Sequence, residues 1–377
     1  MNNNKHIAFL LGAGFSVPAG LPTANTLNKL IISEIYNRIR KSFKEGEEGI
    51  LQSFILEKVL IDIDEYGDFN YELYYDLLEQ EKEKNLDYDR LLSFIDRGMY
   101  GYLWKYSKLN DQNLYNNTKT IQETFEYIVV NCKNYSKEVE DVEALYQRFI
   151  ADNLKDSKIK DFNSIYNGFV SILLYYVNQG YIIDIYTLNH DLFLESILSH
   201  TDLKDMVCNG FGGHIKTIRK RKYKTFDLTH FNNYIRIYKL HGSIDIHEYY
   251  NIDNPLQYIQ IIEGYSFENA FLTDKQGSAS IYPLFITGKT SKEKQYSRKP
   301  YSILLNEFEK NIGKAEKLIV IGYSGNDDGI NNILKGFMHW DNSYVVDPHA
   351  NEHHFVKNHQ ATPLNKGIEF LKCCDIL

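Results

Sequence analysis

The sequence predicts an α/β protein: a Rossmann-like parallel sheet with helices on both faces, plus a large helical insertion subdomain. Two observations carry that expectation. Residues 7–11 form a short apolar run that leads straight into Gly12-Ala13-Gly14, the strand-to-turn arrangement of a phosphate-cradling unit. In the second half of the chain, strand-like runs at 182–188, 234–240, 318–321 and 344–348 alternate with segments of helical spacing. Such alternation argues a parallel sheet.

Taken in order, the first strand is followed by a helix over 25–43, where Leu27, Leu30, Ile31, Ile35 and Ile39 recur at helical spacing. Stretches 50–60, 71–83, 91–106 and 121–132 repeat that periodicity with few strand signals. This is long for a simple crossover. Residues 45–180 are therefore expected to form a helical insertion subdomain, and an assembly surface, within one domain spanning 1–377. The last helical segment, 162–179, stops at Gly180. A buried strand is expected at 182–188 and a helix over 191–199. VCNGFGG at 207–213 reads as a loop because of its glycines. Strands follow at 234–240 and 318–321, mixed short strands and loop at 255–295, and helices at 301–312 and 329–338. The run 344–348 is expected to be the last core strand, closed by proline.

Composition narrows the class. Apolar residues make up 43% of 377, enough for a sizeable core and too many for wholesale disorder. The formal charge, 42 − 50 = −8, argues against a dominant non-specific grip on nucleic acid. The opening residues, MNNNKHIAF, lack a signal-peptide pattern, and no apolar run reaches membrane-span length. The expectation is a soluble, cytoplasmic protein with no membrane contact. Cys132, Cys208, Cys373 and Cys374 form no CxxC pair, which argues against a zinc ribbon and for free thiols in a reducing compartment.

Four stretches place glycine or polar residues where strands should end, and strand ends in an open α/β sheet converge on one crevice. The first, Gly12-Ala13-Gly14-Phe15-Ser16, lacks the third glycine of a dinucleotide fingerprint, since Val17 stands there; an ordinary hydride-transferring dehydrogenase is disfavoured. A tight turn with no ligand is the competing reading. In TLNHD at 187–191, Asn189 offers a donor and an acceptor suited to ribose hydroxyls or a water, whereas Asp191 suits either the site or a helix N-cap. His190 is expected to face away into solvent. In KLHGS at 239–243, His241 stands at a strand end with Gly242 behind it, the placement of a general base or, alternatively, of a hydrogen-bonded core histidine. In GYSGNDD at 322–328, Gly322 and Ser324 suit close backbone approach to a ligand, and Asn326-Asp327 suits an N-cap. No carboxylate or histidine set has metal-ligand spacing around Asp327 and Asp328, so no metal is expected.

Together these four stretches resemble the sirtuin-like family, whose members carry a GAG-x-S turn, an Asn followed two residues later by Asp, a His-Gly motif and a late Gly-x-Ser turn. Here they are Gly12-Ala13-Gly14-Phe15-Ser16, Asn189/Asp191, His241-Gly242 and Gly322-Tyr323-Ser324, in that order across residues 5–350. The chain lacks the four-cysteine zinc module of protein-deacylating sirtuins, and Thr23-Ala24-Asn25 stands where those have a Phe-Arg pair. LPT at 21–23, the long insertion, GFGG at 210–213 and GYSGNDD look instead like bacterial sirtuin-like NAD hydrolases of anti-phage defence. That resemblance implies cleavage of NAD, as substrate, to nicotinamide and ADP-ribose, depleting it in abortive infection. It implies Asn189 and His241 as catalytic residues, with Asp191 beside them. From their places in the strand-end turns, Gly12, Ala13, Gly14, Ser16, Thr23, Gly242, Gly322, Ser324 and Asp327 are expected to line the dinucleotide site, with Ser16, Ser324 and the glycine-turn amides on the pyrophosphate. The resemblance also implies a homo-oligomer gated by a protein partner such as a HerA-like ATPase. An NAD-dependent deacylase or ADP-ribosyltransferase, and a non-catalytic NAD or ADP-ribose sensor, are the alternatives.

One feature lies outside this scheme. KTIRKRKYK at 216–224 has six basic residues in nine and reads as a solvated hairpin, with direct nucleic-acid contact the less favoured reading.

Overall fold

The computed structural model describes residues 5–23, 26–27, 150–154, 162–218, 221–251, 256–263, 271–273, 277–280, 283–286 and 296–377. By its internal contacts the chain divides into two compact units. One comprises Met1–Thr23, Ala151–Ile286 and Glu293–Leu377, and the other Ala24–Ile150 with Thr287–Lys292. Nearly all of the second unit lies outside the described residues, and with it the helices expected at 25–43 (beyond the helical pair Thr26-Leu27), 50–60, 71–83, 91–106 and 121–132.

The first unit is built on a seven-stranded parallel sheet in the order β13-β12-β11-β1-β2-β6-β3. Its strands are β1 His6–Leu11, β2 Ile182–Thr187, β3 Val207–Cys208, β6 Ile235–Lys239, β11 Ala315–Ile321, β12 Tyr344–Asp347 and β13 Thr362–Asn365. Every residue of β1 and β2 is buried, as strands covered on both faces must be. Alternate residues of β1 serve opposite faces. Ile7, Phe9 and Leu11 pack with helix α1, Phe162–Asn178, and helix α2, Phe193–Ser199. Ala8 and Leu10 pack with α3, Tyr301–Ile312, α4, Asp328–Leu334, and α5, His354–His359. The expected parallel sheet with helices on both faces is present.

α1 buries Phe169, Ile172, Leu173 and Tyr176, the 0, 3, 4, 7 spacing of one helical stripe. Phe169 meets Phe9 and Phe15 edge-on, with ring centroids 5.7 and 5.1 Å apart. The helix ends at Gly180, whose φ of 78° no β-carbon hinders, as its sequence position predicts. A carboxylate is buried within β2. Asp184 on β2 is buried, takes a 2.7 Å hydrogen bond from His6 and has Arg236 3.9 Å away.

Several expectations need correction. Residues 207–213 are not simply loop: Val207-Cys208 pair with Ile235-Arg236 as an edge strand, and Phe211 opens another strand. The glycines mark the crossing between two sheets, with Gly210 and Gly213 at φ 80° and 79°. Residues 344–348 are not the last strand, because β13 adds beyond β12; its Pro363 is tolerated on an outer strand, where the missing N–H breaks no ladder. The helix expected at 329–338 ends at Leu334. The short strands expected within 255–295 belong to a separate six-stranded antiparallel sheet, ordered β4-β5-β8-β7-β10-β9. These are β4 Phe211–Ile218, β5 Arg221–Phe226, β7 Ile246–Asn251, β8 Gln257–Glu263, β9 Phe271–Thr273 and β10 Gly277–Ser280. The described residues of the basic run lie on the paired strands β4 and β5, with Lys216 and Lys222 exposed and Arg221 buried.

Among the described residues, no helix is long and apolar enough to cross a membrane. Replacing Phe169 by Ala should cost about 3–5 kcal/mol, since the ring fills the junction of α1, β1 and the first turn. Urea denaturation followed by circular dichroism measures this, and a loss well under about 1 kcal/mol would contradict the packing.

Candidate active site

Four adjacent strands, β11, β1, β2 and β6, end at the same level. Leu11 pairs with both Ile321 and Thr187, and Thr187 pairs with Lys239. Each is followed by one of the four stretches singled out in the sequence. The crevice outside the carboxyl ends of such strands is where an open parallel sheet binds its ligand.

The glycine turn is explained first by packing. Gly14 N–H donates to the Gly322 carbonyl at 2.9 Å, and Gly12 N–H to Ile321 at 3.0 Å. A β-carbon on Gly12 would lie 2.6 Å from the Gly322 oxygen, and one on Gly14 2.7 Å from the Gly322 α-carbon. Gly322 itself has φ 61°, and its β-carbon would overlap backbone atoms of Gly14 and Phe15. The turn then continues as two 3-10 turns, Ala13–Phe15 and Val17–Ala19, rather than directly into an α-helix. Phe15 N–H and Ser16 N–H donate back to Gly12 and Ala13. Gly12, Gly14, Phe15 and Ser16 thus each have an acceptor for their N–H within the protein.

Asn189 is buried and reaches this turn. Its Nδ2 donates to the Gly12 carbonyl at 2.9 Å and to Ser16 Oγ at 3.1 Å. A carbonyl only accepts, so the nitrogen faces Gly12 and both amide hydrogens are committed. What Asn189 can present to a ligand is its acceptor, Oδ1. Asp191 is also buried, one residue before the N-cap position of α2, and its Oδ1 accepts the Phe193 N–H at 3.0 Å. Beneath both sits Lys239, buried at the end of β6. Its Nζ donates to the carbonyls of Asn189, at 3.4 Å, and Asp191, and pairs with Glu195 at 3.2 Å. Burial pushes the Glu195 carboxyl up, and Lys239 opposes that shift. Lys239 was legible as a cation closing the strand run IRIYK, which a buried strand end tolerates only with partners.

His241 lies two residues past β6. Gly242, at φ 80°, allows the tight turn, and a β-carbon there would strike the Leu284 carbonyl. The Ile286 N–H donates to the His241 carbonyl at 2.7 Å. The ring's Nε2 stands 2.7 Å from the Tyr296 hydroxyl and 3.2 Å from Asp327 Oδ2. Asp327 faces the histidine and caps α4, accepting the Ile330 N–H at 3.1 Å. His190 does not face away: its ring packs on Phe285, centroids 4.8 Å apart, and lies 6.1 Å from His241. Ser324 is exposed on the turn after β11, and Thr23 is half-buried. Tyr296 carried no sequence signal, being one tyrosine among 30.

Residues 184–363 match the family model described as the SIR2-like domain. The match is to a SIR2-like domain. It runs from within β2 to within β13, so it takes in Asn189, Asp191, His241, Gly242, Gly322, Ser324 and Asp327, while the glycine turn after β1 precedes it. No curated protein matches the chain. Among solved structures, a sirtuin studied for the structural basis of its substrate affinity is 13% identical with a TM-score of 0.39, covering 100% of this chain and 94% of its own. A SIR2 homologue in complex with NAD is 11% identical with a TM-score of 0.41, covering 97% and 86%. Neither likeness is close enough to place residues of this chain. Among the described residues of the SIR2-like segment and the strands around it, no cluster of His, Cys, Asp or Glu is arranged to hold a metal ion.

The turn after β11 is supported from outside the site. His353 Nε2 donates to the Tyr323 carbonyl at 2.8 Å while its Nδ1 accepts the Phe355 N–H at 3.3 Å. That pattern needs a neutral ring. Burial depresses the His353 pKa, and burial with the neighbouring His353 and His359 depresses that of His354. A histidine whose folded pKa is lowered contributes stability that is whole above its unfolded value, about 6.5, and is lost as pH falls below it. The melting temperature should therefore drop between pH 7.5 and 5.5, and less steeply in His353→Gln; parallel slopes would sink this account. Gly322→Ala should cost on the order of 3 kcal/mol through its positive φ and backbone overlap. A variant as stable as its parent in urea would show that the two turns are not in contact in solution.

Proposed function

We propose that the chain is an NAD-consuming enzyme that hydrolyses the nicotinamide–ribose bond, giving nicotinamide and ADP-ribose. The observation that carries this reading is the link between Asn189 and the Gly12–Ser16 turn, with His241 beyond the neighbouring strand. It joins three motifs far apart in sequence at one row of strand ends. The SIR2-like match over residues 184–363 supports the same reading.

The chemistry suits these residues. Departure of nicotinamide leaves oxocarbenium character on the ribose, as in glycoside cleavage. Asn189 Oδ1 would accept a hydrogen bond from a ribose hydroxyl or the attacking water, fixing its position. His241 would take the proton of that water, whose oxygen bonds the anomeric carbon as the C–N electron pair leaves with nicotinamide. Asp191, through its hold on the first turn of α2, would keep the Asn189 loop in place. The exposed Ser324 and the backbone around Gly322 would meet the dinucleotide, together with Thr23, Ala13 and Gly242.

The reading extends to a cytoplasmic role in anti-phage defence, in which NAD depletion aborts infection. The activity would be gated by a protein partner such as a HerA-like ATPase, in a homo-oligomer assembled through a helical insertion within one catalytic domain.

The test is release of nicotinamide and ADP-ribose from NAD by the purified chain, at low and high protein concentration. Asn189→Ala and His241→Ala should each lower kcat by about a hundredfold or more while folding like the parent. Tight NAD binding with no turnover under any condition, the candidate ATPase included, would move the reading to a non-catalytic sensor.

A further inference from the structure

We propose that Asp327 and Tyr296 are positioning residues for His241: they hold its Nε2 edge, and the Asp327 carboxylate raises the imidazole's affinity for a proton. The proposal takes its reaction from the hydrolase reading, while the contacts it names stand independently of that reading.

Three groups form a closed triangle. Tyr296 donates to Asp327 Oδ2 at 2.8 Å, the same hydroxyl lies 2.7 Å from His241 Nε2, and that nitrogen is 3.2 Å from Asp327 Oδ2. The His241 and Asp327 side chains are only 7% and 4% exposed, so water screens the pair weakly. Asp327 cannot swing away. Its Oδ1 caps α4 through the Ile330 N–H, and its own N–H donates to the Tyr323 hydroxyl at 3.1 Å. That hydroxyl in turn bonds Asn331 Oδ1 at 2.9 Å. Oδ2 is thus presented to the histidine by a carboxylate fixed at its other oxygen.

A carboxylate this near stabilises an imidazolium and holds the ring in one orientation. When His241 accepts a proton from the attacking water, the new positive charge faces Asp327, and Tyr296 bridges the two. Among the described residues, the His190 ring also faces His241. The His190 ring lies 6.1 Å away, where a second positive charge would repel, and Phe285 backs His190 without charge.

The decisive variant is Asp327→Asn, which keeps side-chain size and a good helix cap but removes the charge. Asp327→Ser, a second uncharged cap, serves if the first fails to fold. The readouts are the His241 imidazole titration by NMR, assigned by difference with His241→Gln, and the pH profile of nicotinamide release. In Asp327→Asn the His241 titration should move about one pH unit or more lower, and the acid limb of kcat/KM should move with it. Turnover should fall on the order of tenfold to a hundredfold, with KM within about twofold. Tyr296→Phe should lower kcat with a smaller displacement of the titration. An unchanged His241 titration in Asp327→Asn would overturn the proposal and leave Asp327 as a helix cap only. If the titration moves but the parent releases no nicotinamide, the positioning stands and the hydrolase reading falls.

Discussion

Backbone lies directly on backbone where β1 and β11 end. Gly12 and Gly14 approach Gly322 so closely that no side chain fits on either surface, and the Gly14 N–H closes the gap onto the Gly322 carbonyl. Much of the crevice follows from this contact. It sets the path of the chain into the 3-10 turns that bring Ser16 inward, and it fixes where the segment after β11 starts. Five residues later that segment delivers Asp327 to the N-terminus of α4 and to His241. Glycine serves here less to admit a phosphate than to let two turns share one space, a packing use of the same residue.

The polar interior is arranged on the same logic. A buried amide, hydroxyl or charge is costly unless paired. Asn189 spends its two hydrogens on Gly12 and Ser16; Lys239 ties together the carbonyls of the Asn189–Asp191 turn; His353 holds the Tyr323 carbonyl. Each link joins a loop to a strand end that differs from the one it grew from. Loops held this way can keep side chains within the small tolerance that oriented chemistry requires. The Glu195 carboxyl beside Lys239 shows the cost of the scheme, since burial raises its proton affinity even with a cation 3.2 Å away.

Much of the molecule was legible in the chain because its determinants are local. Predominantly apolar, β-branched and aromatic runs marked β1, β2, β6 and β11, since a parallel strand covered on both faces shows no regular polar side. The stripe of α1 and the stop at Gly180 followed from helical spacing and the left-handed preference of glycine. The motifs Gly12–Ser16, Asn189, His241-Gly242 and Gly322 could be placed at strand ends because each directly follows such a run. Less could be read where the cue was weak or contradictory: two residues of β3 beside three glycines, a proline within β13, and an antiparallel sheet assembled from short, mixed strands.

What the sequence by itself determined is therefore the parallel α/β frame, with its strand ends and the identity of the residues standing on them. Tertiary structure decided what those residues touch. That Asn189 turns its hydrogens to Gly12 and Ser16, that Asp327 faces His241 rather than open crevice, and that Tyr296 joins them are contacts across 173, 86 and 55 positions or similar separations. Strand propensity and apolar periodicity act within a few residues, whereas hydrogen-bond partners are chosen by the packing of distant segments. No local pattern encodes that choice, so only the folded chain reveals it.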